Sequence, residues 1–314
     1  MKRRKRPFFK NILNHCYLRT RDDGVIFYSY SDYLVWFTIV CTEARKRRVK
    51  ILSLCAMPDH VHMSVTSAYE TELSGFMRDW SKEFSRQHNI TCHLSGPLFA
   101  SPFGSAPKFG AKKGRTNLIY VGNNPVDRQL VDKAEDYRWN FLAYAESDHP
   151  FSRKLVLREA RWHLRQAVKE VKAQFKAGKP MTYAALQRLF KPLSTEECQQ
   201  LTDFIISTYN VIDYAAALSF FNSYEDMMTA MHSNTGSEYD INEVFIGKSD
   251  AHYATMAAIV LRELQPEDIH DMLALSGVEK FKVFQLIRKY SMAPSEQIAK
   301  FLHLPLKRGP IEEN

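Results

Sequence analysis

Two histidines one residue apart, directly after a proline turn, constrain this chain more than any other feature. Residues 51–57 form an apolar run typical of a buried strand, and Pro58 and Asp59 then favour a tight turn. The chain from His60 onward is typical of the next strand, so His60 and His62 would project from the same face. Two imidazoles side by side on a rigid sheet can bind a metal ion and leave positions for further ligands. An accidental pair of histidines on a half-polar strand is the alternative.

The order of the predicted elements favours an α+β fold for residues 1–147. Strand, helix, strand, strand, helix, strand and helix follow one another, which is typical of a ferredoxin-like split βαβ sandwich. We expect a four-stranded antiparallel sheet with its helices on one face. The fourth strand is predicted at residues 98–100. The last helix of the domain is predicted to begin near Arg115 and to end or kink at Asn124, because Pro125 disfavours α geometry in the residue before it.

The second half of the chain carries no strand pattern, and we predict an all-α C-terminal region. Residues 148–264 are predicted to be a helical extension, with a polar loop over 233–248. Within residues 265–314, the sequence predicts a helix that begins at 266–268 and a second helix over 278–290. A turn and a third helix with an N-cap at Ser295 follow. This pattern is typical of a DNA-binding helix-turn-helix with Gln297 and Lys300 facing outward, although any helical hairpin gives a similar one.

The formal net charge of +8 over 314 residues indicates a polyanionic partner. Five scattered cysteines without a C-x-x-C spacing are typical of reduced core thiols in a cytoplasmic protein. We find neither a signal peptide pattern nor an apolar segment of the roughly 20 residues that a membrane span requires. Basic residues that could contact DNA phosphates, or simply be solvated, are Arg4, Arg47, Arg48, Lys82, Arg86, Lys112, Lys113 and Arg115.

A tyrosine and an asparagine lie one helical turn apart on the predicted third helix. If this helix packs beside the histidine strand, Asn124 can supply a third ligand and Tyr120 can reach a metal-bound substrate. A phenol with a pKa of about 10 is a poor nucleophile at neutral pH. It becomes useful in phosphoryl transfer, where a divalent cation polarises the phosphate. A structural core tyrosine is the alternative.

Three stretches resemble motifs of the HUH single-tyrosine transposases, in particular the REP-associated tyrosine transposases of the IS200-like branch. Residues 55–62 read C-A-M-P-D-H-V-H, where the family has C-x-M-P-N-H-V-H. Residues 120–126 read Y-V-G-N-N-P-V beside Y-I-x-x-N-P-V, and residues 136–139 read D-Y-R-W beside D-Y-x-W. The resemblance covers about residues 8–147, in the order and spacing of the family.

The resemblance implies the HUH nuclease fold, with Mg²⁺ or Mn²⁺ bound by His60, His62 and Asn124, and with Tyr120 as the nucleophile. It implies that single-stranded DNA, often folded as a hairpin, is cleaved and rejoined through a 5′-phosphotyrosine. Relatives act as monomers or homodimers, and the sequence leaves this open. A catalytically inactive DNA-binding regulator of the same fold is the main alternative, and a metal hydrolase without a covalent step is a weaker one.

The chain departs from the family motifs at a few positions. Asp59 replaces the usual Asn, and Asp127 and Arg128 replace the usual Arg-Ala after N-P-V. Gly122 lowers the helix propensity by about 1 kcal/mol relative to alanine, so we expect a more mobile tyrosine helix.

Overall fold

The computed structural model describes residues 7–21, 23–100, 102–233 and 249–305. The predicted DNA contact Arg4 and residues 234–248 of the loop predicted over 233–248 lie outside the described residues. Four strands form one antiparallel sheet in the order β2-β3-β1-β4. They are β1 (Leu13–Arg19), β2 (Lys50–Met57), β3 (His60–Thr66) and β4 (Gly104–Lys108). The order and the antiparallel pairing confirm the predicted ferredoxin-like α+β fold.

Pro58 and Asp59 form the tight turn between β2 and β3, as predicted. The N–H groups of Ile26 and Phe27 donate hydrogen bonds to the Pro58 carbonyl at 2.8 and 3.1 Å. This turn is therefore held in place by the chain segment that precedes the first helix.

Helices cover both faces of the sheet. Helices α1 (Tyr30–Arg47) and α2 (Glu70–Thr91) pack together on one face. Helix α3 (Gly110–Asp127) packs on β2 and β3 from the other side, where Ser64 Oγ donates a hydrogen bond to Asn117 Oδ1 at 2.8 Å. The expectation of helices on one face only is therefore wrong, because the polar face of β3 is also covered.

The prediction of the fourth strand at residues 98–100 is wrong. Phe99 makes only an isolated bridge with Thr20, whereas β4 pairs with β1 further along the chain. Gly104 and Pro107 are poor strand formers, so β4 depends on its position beside β1. A Cβ atom at Gly104 would lie 2.1 Å from Cζ of Tyr17, so the tyrosine ring requires glycine there.

The predicted bounds of the third helix are also wrong. Helix α3 begins five residues before Arg115 and continues through Pro125 to Asp127. Proline cannot donate a backbone hydrogen bond, yet packing on the sheet maintains the helix for two further residues. Asn140 Nδ2 donates to the Gly122 carbonyl at 3.1 Å, which stabilises the backbone near the proline.

After β4, the described chain contains helices and turns and no further strand of the sheet, which confirms the all-α C-terminal region. Helices α4, α5 and α6 share one apolar core with α1, and α7 and α8 belong to a second core with α3. Helices α9, α10 and α11 form a third core that includes Val25 and Cys92 of the N-terminal domain. The helices are α4 (Trp162–Lys176), α5 (Tyr183–Phe190), α6 (Thr195–Tyr209), α7 (Tyr214–Leu218), α8 (Tyr224–His232), α9 (Ala251–Leu264), α10 (Gly277–Tyr290) and α11 (Ser295–Phe301).

We call residues 249–305 the C-terminal unit. Its α10 and α11 form the predicted helical hairpin, and Ile269–Ala274 is a 3-10 helix where an α-helix was predicted. The boundary predicted between residues 264 and 265 separates α9 from α10 and α11, although the three share a core. The prediction that Gln297 and Lys300 face outward is wrong, because their exposed fractions are 0% and 7%. DNA binding by a helix-turn-helix in residues 265–314 stays a prediction.

None of the described helices has the length and apolar content needed to cross a membrane.

Candidate metal and tyrosine site

The two histidines of β3 lie side by side on the face covered by α3. The ring centroids of His60 and His62 are 4.8 Å apart, and the ring planes are nearly perpendicular at 89°. Both side chains are buried, with exposed fractions of 1% and 0%. Asp59 Oδ1 lies 2.5 Å from His60 Nδ1, and His15 Nε2 lies 3.0 Å from His62 Nδ1. Because both Nδ1 atoms make these contacts, the buried Nε2 atoms are the candidate metal ligands.

Helix α3 brings Tyr120 to these histidines. The ring centroid of Tyr120 lies 5.4 Å from that of His62 and 5.5 Å from that of His15, and the tyrosine is buried. Asn124 lies one turn further along the same helix and is also buried. Asn124 Oδ1 is a buried acceptor that makes no hydrogen bond within the described part of the chain. A buried amide oxygen of this kind is suited to ligating a cation.

The chemistry of these groups fits a divalent metal ion. Burial lowers the pKa of His62 well below its ordinary value of 6.5, and the neighbouring charges of His60 and Arg19 lower it further. A neutral imidazole with a free electron pair is the form of histidine that binds metals. Among the described residues, no three His, Cys, Asp or Glu side chains are arranged to hold a metal. Asn124, whose Oδ1 is buried and makes no hydrogen bond within the described part of the chain, is the candidate for a third protein ligand.

Asp59 connects this site to the C-terminal unit. Lys300 of α11 makes a buried ion pair with Asp59 Oδ2, while Asp59 Oδ1 contacts His60. Burial opposes ionisation of Asp59, but the positive charges of His60 and Lys300 together hold its pKa far below the usual 3.8.

Two members of this cluster are absent from the sequence prediction. His15 belongs to the opening strand, where alternation alone could have placed it on the face of His62. Lys300 lies 241 positions from Asp59 in the chain, and no local pattern indicates that contact.

The predicted DNA contacts lie at several places on the surface. Lys82 and Arg86 are exposed on α2, and with Arg78 they line a groove of about 560 Å³ that also contains Phe99. This groove lies on the α1 and α2 side of the sheet, opposite to Tyr120. The other described candidates lie at the C-terminal end of α1 and at the N-terminal end of α3.

Arg48 is exposed directly after α1, while Arg47 of α1 is ion-paired with Asp79. Lys112 and Lys113 are exposed in the first turn of α3 rather than in a loop. Arg115 makes two hydrogen bonds with Asp226, at 3.0 and 3.1 Å, and packs over the ring of Phe221. These contacts show that Arg115 joins α3 to α8.

Two kinds of comparison with known proteins give a match. Residues 10–95 match the family described as "Transposase IS200 like", a range that includes His60 and His62 and ends before Tyr120. No functionally curated protein matches the chain. A solved REP-associated tyrosine transposase bound to a REP hairpin is similar at 19% identity and a TM-score of 0.40, covering 46% of this chain and 84% of that chain. The chain is therefore similar to the IS200-like transposases over the part of its N-terminal domain that carries the two histidines.

Proposed function

We propose that the protein cleaves and rejoins single-stranded DNA through Tyr120, with the help of a divalent metal ion. The observation that carries this proposal is the position of the Tyr120 ring against His15 and His62, beside a second buried histidine of an IS200-like domain.

In the proposed site, His60, His62 and Asn124 hold Mg²⁺ or Mn²⁺. A bound divalent cation neutralises charge on the scissile phosphate and helps to position it. The contacts made by Asp59 and His15 orient the two imidazoles in advance, so that the protein does not have to reorganise them when the metal binds.

Tyr120 supplies the attacking oxygen. A bond forms between Tyr120 Oη and the phosphorus, and the bond between the phosphorus and the 3′-oxygen breaks. The phenolic proton is released as the phenol attacks, and the departing 3′-oxygen takes up a proton to become a hydroxyl. The products are a 5′-phosphotyrosine and a free 3′-hydroxyl, which conserve the energy of the diester. Attack by a 3′-hydroxyl on the phosphotyrosine reverses these steps and joins two strands.

The substrate class follows from the resemblance to the transposase motifs and from the charge of the surface. The resemblance implies single-stranded DNA, commonly a hairpin, and a net charge of +8 favours association with phosphates in general. Exposed side chains proposed to contact it are Arg48, Lys82, Arg86, Lys112 and Lys113. Arg47, Arg86 and Arg115 are weaker candidates than the lysines and Arg48, because carboxylates within the protein already neutralise them.

The test is a covalent adduct assay. The protein is incubated with a library of single-stranded hairpins and Mg²⁺ or Mn²⁺, and adducts are separated on denaturing gels. We expect an adduct with the wild type and none with Tyr120→Phe. Tyr17→Phe is the matched control, because Tyr17 lies in the same cluster with its ring centroid 6.5 Å from that of His62. An adduct that persists in Tyr120→Phe would refute the assignment, and DNA binding without any adduct would favour the inactive regulator.

A further inference from the structure

Two positions at which the chain departs from the transposase motifs are both ion-paired with the C-terminal unit. Asp59 pairs with Lys300, and the side chains are 11% and 8% exposed. Arg128 pairs with Asp250 through two contacts of 2.6 and 3.1 Å, and these side chains are 7% and 4% exposed. The buried charges of Asp59 and Arg128 therefore both have an opposite charge in residues 249–305.

The turn that carries Asp59 is enclosed between the N-terminal domain and α11. Ile26 and Phe27 hold the Pro58 carbonyl from one side. The adjoining Val25 is buried in the core of the C-terminal unit, and its N–H donates to the Lys300 carbonyl at 3.4 Å. The position of the Asp59 carboxylate is thus determined by both parts of the chain.

Each oxygen of the Asp59 carboxylate has a separate partner. Oδ2 is held by Lys300, and Oδ1 contacts Nδ1 of His60, a proposed metal ligand. A buried carboxylate without a counter-charge is costly, and Asp59 would turn toward solvent if Lys300 were removed. The contact with His60 would then be lost, and the His60 ring would no longer be held in one orientation.

We propose that Lys300 is a positioning residue of the catalytic centre, which holds Asp59 so that Asp59 fixes the His60 ring for the metal. The C-terminal unit accordingly contributes a residue to the site. This inference rests on the proposed function, because it assumes that His60 is a metal ligand.

The test compares Lys300→Met, Asp59→Asn and the double variant in the full-length protein. Mn²⁺ affinity is measured by electron paramagnetic resonance without DNA, and adduct formation and Tm are measured in parallel. We expect Lys300→Met to lower Mn²⁺ affinity and the adduct rate by about 10- to 100-fold. The double variant should recover most of both, because the neutral amide needs no counter-charge and its oxygen can still accept a hydrogen bond from His60. Lys282→Met, an exposed lysine of α10, is the control.

The outcomes separate the two proposals. Unchanged Mn²⁺ affinity in Lys300→Met, or a double variant as impaired as Lys300→Met at wild-type Tm, would overturn the role of Lys300. Mn²⁺ binding that follows the expected pattern without any adduct would support Lys300 and refute the strand transferase. Should Lys300→Met not fold, the double variant carries the test, and an Mn²⁺ affinity far below that of the wild type would overturn the proposal.

Discussion

His15 Nε2 lies 3.0 Å from Nδ1 of His62, so a histidine of β1 fixes the ring of a histidine of β3 across the sheet. Contacts of this kind orient metal-binding histidines and favour one tautomer. His15 therefore has the same relation to His62 that Asp59 has to His60.

We predict that His15→Ala lowers Mn²⁺ affinity and the adduct rate by about 10- to 100-fold, because the His62 ring loses the contact that orients it. His163→Ala, which removes an exposed histidine of α4, is the control and should behave as wild type. Calorimetric titration with Mn²⁺ measures the effect, and equal affinities in the two variants would contradict the orienting role.

Arg128→Met is predicted to destabilise the protein by about 3–5 kcal/mol, because it leaves Asp250 buried without a counter-charge. Adding Asp250→Asn should recover much of the loss, since no unpaired charge then remains. Urea unfolding measures the free energy, and hydrogen exchange over residues 249–305 shows where the protein opens. Arg158→Met, from the exposed pair with Glu159, should change little. Equal stability of the two arginine variants would show that the buried pair does not anchor the C-terminal unit.

His270 of the C-terminal unit predicts a pH-dependent stability. Its Nε2 lies 2.9 Å from Asp32 Oδ1, Asp268 contacts its Nδ1, and the His88 ring faces it at 6.1 Å. Burial alone would lower the pKa of His270, but Asp32 and Asp268 raise it from 6.5 to about 10. Burial likewise opposes ionisation of Asp32, yet His270 lowers the pKa of Asp32 from 3.8 to about 2.

The contribution of His270 to stability is complete below about pH 6.5 and is lost as the pH rises through 10. The contribution of Asp32 is complete above about pH 3.8 and is lost as the pH falls through 2. We therefore expect Tm to be highest between about pH 3.8 and 6.5, where both contributions are complete, and to fall from pH 6.5 toward 10. In His270→Gln the alkaline decrease should be smaller, whereas the exposed His163→Gln should keep it. Parallel Tm profiles for wild type and His270→Gln would contradict this.

From the basic groove beside α2 we predict how the binding of single-stranded DNA depends on salt concentration. Lys82→Gln should weaken binding of single-stranded DNA and reduce the slope of log K against log salt by about 0.7, because one phosphate contact is lost. Fluorescence anisotropy at several salt concentrations measures the slope. Lys169→Gln, an exposed lysine of α4, is the control. A slope that both variants share with the wild type would exclude the groove from the DNA path.

The parts of the fold and site that follow short-range patterns could be predicted from the sequence. Alternation and a proline turn predict that His60 and His62 share a face, and helical spacing predicts that Tyr120 and Asn124 lie on one side of a helix. The roles proposed for these residues rest on the resemblance to the transposase motifs. Strand β4 could not be predicted, because Gly104 is there for the Tyr17 ring and not for its strand propensity.

The burial of Lys300 also could not be predicted from the sequence. A lysine on a short amphipathic helix predicts an exposed side chain, and only the three-dimensional fold reveals its counter-charge. Gly122 is similar, since a Cβ atom there would lie 2.9 Å from Cε of Met231. The lack of a side chain at Gly122 thus lets Met231 of α8 pack against α3. The sequence suggested only a more mobile tyrosine helix.

The separation of Asp59 and Lys300 also has a consequence for synthesis on the ribosome. The two residues are 241 positions apart, so at about 5–20 residues per second the carboxylate waits roughly 12 to 48 s for its lysine. From the synthesis of Tyr120 onward, the nascent polypeptide holds both histidines and the tyrosine without the ion pair that is proposed to position His60. On the proposed role of Lys300, competence to cut DNA is therefore expected only after residue 300 has left the ribosome.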